Sequence, residues 1–88
     1  MSTMPVIDLI ATGQNIAKKR KHAGYSVRQM QKIVGFSTPQ AIYKWQRGES
    51  LPSIDNLAVL AAVLNVKMDD IIVYKTPDAP PEPTPEES

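Results

Sequence analysis

Gln40, Tyr43, Lys44 and Arg47 stand at i, i+3, i+4 and i+7. On a helix of 3.6 residues per turn those positions share one face. The face would carry an amide, a phenol, an ammonium and a guanidinium, with no carboxylate among them. Such groups hydrogen-bond to base edges and to phosphate oxygens. Ala41, Ile42 and Trp45 fall on the opposite side. Trp45 has a ring able to stack on a nucleobase, yet its position on the apolar face assigns it to the core.

The surrounding charge points the same way. Leu9 to Gly48 contains Lys18, Lys19, Arg20, Lys21, Arg28, Lys32, Lys44 and Arg47 and no acidic residue. From Glu49 onward the balance reverses, with Lys67 and Lys75 against eight carboxylates, so the whole-chain net charge of +1 conceals a division. A cationic block suits an anionic partner, most commonly a nucleic-acid backbone, although a charge run can equally be a solvated face.

Other chemistries have little to work with. There is no cysteine, hence no disulfide and no thiolate metal site, and the single histidine, His22, lies in a lysine cluster without a metal-binding or proton-transfer partner nearby. No glycine-rich phosphate loop, carboxylate pair or nucleophile motif is present. The expectation is a protein that is not an enzyme and needs no cofactor. Met1 to Gly13 lacks a basic leader and a spanning apolar run, so a cytoplasmic, non-membrane protein is expected.

The elements that must hold the Gln40–Arg47 face are helical, since no run alternates with period two. Thr12 is the expected cap of a first helix from about Gly13 to Ala23, stopped by Gly24. Ser26 and Gln29 form a capping box, followed by a stripe of Val27, Met30, Ile33 and Val34. Gly35 ends that helix. Ser37 or Thr38 is the expected cap of the third, with Pro39 in its first turn and Gly48 at its close. A fourth helix runs from near Ile54, capped by Ser53, to Leu64, with Leu57, Leu60, Ala61 and Leu64 facing inward. A short fifth covers about Met68 to Val73. The predicted fold is all-α, a compact bundle of four to five short helices with a helix-turn-helix inside it. Residues 1–11 form an N-terminal extension and 12–75 the domain. The segment 76–88, with five prolines and four acidic residues, is an extended tail.

Three stretches in order, "YSVRQMQKIVGFS", "TPQAIYKWQRGESLPS" and "NLAVLAAVLNVKMDDII", resemble the Cro/C1-type (XRE-like) helix-turn-helix family of phage repressors and bacterial regulators. The likeness covers about Ile16 to Ile72. It implies a lambda-repressor-like fold, double-stranded DNA as partner, a homodimer on DNA half-sites, and transcriptional control in a bacterium, phage or mobile element. By position, Gln40 and Lys44 match residues that commonly read bases. Thr38, Tyr43 and Arg47 match backbone-contact or flanking positions, and Ser37 and Arg28 join the expected DNA-binding set.

Departures from the family pattern are equally informative. Gln46 stands where the family usually has a glutamate that pairs with the first-helix arginine, here Arg20. Arg20 then either makes a charge-to-amide hydrogen bond or turns outward. Val27 replaces a phosphate-touching glutamine, Lys19 stands where leucine is frequent, and the turn before Ile42 is one residue longer than the shortest in the family.

Several residues keep two readings. Gln40 contacts a base or serves as capping partner to Ser37. Tyr43 meets a thymine methyl or phosphate, or packs across its own helix. The Lys18–Lys21 cluster, Arg28 and Lys32 touch phosphates or are merely solvated, whereas Lys44 is read as facing DNA because its neighbours on that face are donors too. Val59 and Val63 are either a dimer patch or are covered by Val6, Ile7, Leu9 and Ile10. An alternative function on the same scaffold is a protein-interaction, antitoxin-like module that grips a partner through its C-terminal tail.

Overall fold

The computed structural model describes residues 5–75. The proline-rich segment 76–88, expected to be a tail, lies outside the described residues, as do residues 1–4. Five helices follow in order: α1 Leu9–Ala23, α2 Val27–Val34, α3 Gln40–Arg47, α4 Ile54–Leu64 and α5 Met68–Ile71. Two short strands, β1 Val6–Ile7 and β2 Tyr74–Lys75, pair antiparallel with Val6 opposite Lys75 and Ile7 opposite Tyr74. The all-α expectation holds, with this two-residue strand pair as an addition that no period-two run in the sequence signals.

α1 starts four residues earlier than predicted, and its cap is Asp8 rather than Thr12. The Asp8 side chain accepts from the Ala11 amide at 3.0 Å, and its own amide donates to the Val73 carbonyl at 2.8 Å. A carboxylate also suits the positive end of a helix better than a hydroxyl. Thr12 is committed elsewhere. It is 1% exposed, donates its hydroxyl to the Val73 carbonyl at 3.1 Å and accepts from the Val73 amide at 2.9 Å. Beside it Asn15 donates to the carbonyls of Asp70 and Ile71 at 2.7 and 2.9 Å. These two side chains of α1, with the Asp8 backbone amide, fasten the end of α5 and the approach to β2. Val73 is thereby drawn into an extended connection, and α5 stops at Ile71 instead of continuing to Val73.

The core comprises Ile16, Met30, Ile42, Trp45, Leu57, Leu60, Ala61, Leu64 and Ile71, contributed by all five helices. The predicted inward stripe of α4 is entirely buried. In α2, Met30 is buried and Val27 and Val34 pack against the core, but Ile33 is 45% exposed. At 100° per residue Ile33 lies about 60° beyond Met30, on the side away from Val27 and Val34. Among the described residues no helix is long and apolar enough to cross a membrane.

Val6 and Ile7 are taken up by the strand pair, and Ile10 lies against Gly48. Val59 remains exposed and Val63 half-buried.

Candidate nucleic-acid interface

α3 is held by its apolar side. Ile42 is fully buried and Trp45 is 4% exposed, its ring meeting Phe36 edge-on at 5.6 Å between centroids. Phe36 belongs to the turn between α2 and α3. Gln31 of α2 donates to its carbonyl at 3.2 Å, and its amide returns to the Gln31 carbonyl at 3.1 Å. The turn that sets the direction of α3 is therefore fastened by backbone, amide and aromatic contacts together. The capping box of Ser26 and Gln29 starts α2 as predicted, with both hydrogen bonds formed, at 3.0 and 2.8 Å.

The second constraint comes from α1, the principal neighbour of α3. Gly13 is buried there. A Cβ at Gly13 would stand 2.1 Å from the Trp45 carbonyl oxygen and 2.8 Å from that of Gln46. The two backbones approach this closely only because residue 13 has no side chain. Gly48 serves twice at this same end of α3. It takes the left-handed cap conformation at φ 77°, and a Cβ there would come within 2.8 Å of the Ile10 Cα.

Arg20 points inward. It is 9% exposed, donates from Nε to the Gln46 side-chain oxygen at 3.0 Å and from its guanidinium to the Tyr25 carbonyl at 2.8 Å. The arginine and the amide thus do pair, and this bond ties α1 to α3 one residue past Trp45.

With its inner face fixed, α3 exposes Gln40, Tyr43, Lys44 and Arg47, the four residues selected by spacing. Ser37 and Thr38 are exposed just ahead of them. Neither caps α3, contrary to expectation. The cap position is Pro39, at φ −82° and ψ 2°, and no side chain accepts from the first-turn amides. Helix formation begins one residue too late for Thr38 to serve, because Pro39 occupies the boundary itself. The capping alternative for Gln40 falls with it. Ser37, Thr38, Gln40 and Lys44 instead line one shallow hollow of about 300 Å³ together with Phe36, Ala41 and Ser50. Ser50 is not among the residues that spacing picks out. Its serine side chain gave no signal in sequence, since its position depends on how the chain turns after Gly48. Arg28 is exposed in the first turn of α2, and no described contact joins it to the α3 group.

Arg47 carries a feature that spacing could not reveal: its Nε donates to the Glu49 carboxylate. Lys44 has no ion-pair partner among the described residues. The Lys18–Lys21 cluster divides, with Lys18 and Lys21 exposed, Lys19 half-buried and Arg20 turned into the core. Lys18, Lys19 and His22 line a groove with Ala23, Leu64 and Val66, separate from the α3 hollow.

A family model described as helix-turn-helix matches residues 16–71, well over half of the chain. No curated protein matches the sequence. Among solved structures, the restriction-modification controller protein C.AhdI from Aeromonas hydrophila is 23% identical with a TM-score of 0.65, covering 73% of this chain and 96% of its own. The clp gene regulator ClgR from C. glutamicum is 21% identical with a TM-score of 0.63, covering 70% and 78%. The SOS-response transcriptional repressor LexA from Eubacterium rectale is 20% identical with a TM-score of 0.64, covering 84% and 78%. At these identities the three structures speak to the fold.

Proposed function

The chain belongs to the Cro/C1-type helix-turn-helix family of DNA-binding transcriptional regulators, and from that premise we propose that it reads operator DNA sequence-specifically as a symmetric dimer, with α3 in the major groove. The observation that carries this reading is the outer face of α3. Gln40, Tyr43, Lys44 and Arg47 are all exposed on a helix whose orientation is locked by Trp45, Gly13 and the Arg20–Gln46 bond. Gln40 is suited to a bidentate contact with adenine and Lys44 to guanine or phosphate. Thr38, Ser37 and Arg47 flank them within reach of the sugar-phosphate backbone, and Arg28 adds a cation on α2. The uncapped first-turn amides of α3 are a further set of donors toward phosphate.

One eight-residue helix contacts only a few base pairs, so two copies on a two-fold repeat are needed for a useful operator. Val59, with Val63 beside it, is the proposed contact between copies.

The test is direct. With about four phosphates neutralised per protomer, log K against log salt should fall with a slope of about −7 for the dimer. Gln40→Ala and Lys44→Ala should each weaken specific binding by about 1–3 kcal/mol while the thermal transition stays in place. Affinity that is flat in salt, or chemical-shift changes on duplex addition that avoid α3, would overturn the proposal.

A further inference from the structure

We propose that Glu49 is a built-in competitor for the phosphate that Arg47 would otherwise hold, and so sets how readily the regulator grips DNA. The inference rests on the DNA-binding reading above. Arg47 is the last member of the outward face of α3, and its guanidinium is engaged by a carboxylate two residues further on. The turn between them is not loose. Gly48 donates to the Trp45 carbonyl at 3.1 Å and Glu49 to that of Lys44 at 2.9 Å, which holds the Glu49 backbone against the end of the helix. Glu49 is also the first carboxylate after forty positions without one, at the border of the surface offered to DNA.

A carboxylate and a phosphate present the same kind of acceptor to a guanidinium. Both side chains of this pair are about half exposed, 56% and 51%, so the pair is weak enough to exchange and strong enough to register. On DNA, a phosphate that draws the Arg47 guanidinium away from Glu49 releases a carboxylate that then recruits a solvent cation. Each exchange cancels part of the counterion release that drives binding. Glu49 therefore lowers both the affinity and its dependence on salt, and it does so through Arg47 specifically.

The experiment is a four-member cycle on the full chain: parent, Glu49→Gln, Arg47→Gln and the double variant. Each is titrated against a random-sequence duplex of about 20 base pairs over a range of salt. Glu49→Gln is expected to tighten low-salt binding about two- to fivefold per protomer and to steepen the salt slope by up to about one per protomer. In the Arg47→Gln background the same change should give less than half that gain on a logarithmic scale. Equal gains in both backgrounds would mean that Glu49 acts only through its long-range field, and no gain would mean that it does not compete. Either result overturns the inference while DNA binding stands. A parent chain without salt-dependent affinity for the duplex would instead remove the DNA-binding reading, and the inference with it.

Discussion

Gly13→Ala gives the sharpest test of how α3 is positioned, because two effects of the substitution have opposite signs. In an isolated helix, alanine in place of glycine stabilises by about 1 kcal/mol. Here the added methyl would meet the Trp45 carbonyl oxygen at 2.1 Å, and the Gln46 carbonyl oxygen and carbon at 2.8 and 2.9 Å. To reach the 3.4 Å of ordinary contact, α1 and α3 must separate by about 1.3 Å at that point. The obstructing atoms are backbone, so no rotamer change relieves them. The displacement passes into Trp45 and into the Arg20–Gln46 bond. Overpacking of this severity costs about 3 kcal/mol or more, leaving a net loss of at least about 2 kcal/mol once the helix gain is subtracted. For a domain of this size that is about 8–16 °C in Tm. Urea unfolding followed by far-UV circular dichroism and by Trp45 fluorescence measures it. Gln14→Ala, at the exposed neighbour, should stay within about 0.5 kcal/mol of the parent and controls for helix propensity. A Gly13→Ala chain as stable as the parent, or more so, would refute the claim that this close approach sets the position of α3.

Further outcomes are expected. Trp45→Ala empties a core site beneath the outward face and should destabilise by about 3–5 kcal/mol in the same unfolding assay. Gln46→Glu converts the charge-to-amide bond of Arg20 into an ion pair and should stabilise by about 1 kcal/mol at neutral pH. A carboxylate favoured in its charged form contributes stability above its unfolded pKa, and that gain should fade as acid protonates it, which unfolding curves over a pH series would reveal. Thr12→Val keeps the shape but leaves the Val73 amide without its partner and the Val73 carbonyl with the Asp8 amide alone, for a loss of about 1–3 kcal/mol. Hydrogen exchange should then quicken at the Val73 amide and at the strand pair, with the α2–α3 unit little affected.

Much of this fold could be read in the chain wherever the deciding interaction is local. The Ser26–Gln29 box, the Ser53 cap, the glycine stops and the α4 stripe involve residues within one or two turns of each other, and each stands as expected. The facing of α3 was legible for the same reason, since Ile42 and Trp45 fix it by periodicity. What escaped was set from far along the sequence. Thr12 looked like a cap because its true partner, Val73, is 61 residues away. Gly13 looked like an ordinary first-turn residue because nothing nearby in sequence announces the carbonyls of Trp45 and Gln46. Arg20 was undecided between core and solvent until the Tyr25 carbonyl offered its guanidinium a second acceptor. At the interface, spacing alone finds the four α3 residues, whereas the hollow that Gln40 and Lys44 share with Ser50 and the engagement of Arg47 by Glu49 depend on the turn after Gly48.

The pairing of Val6–Ile7 with Tyr74–Lys75 has a topological consequence. It brings the two ends of the described residues to one spot, so the helices form a ring already clasped by hydrogen bonds. A short peptide from Lys75 to Val6 would make that clasp covalent, and the chain could then be reopened at a surface turn with its helix order rotated.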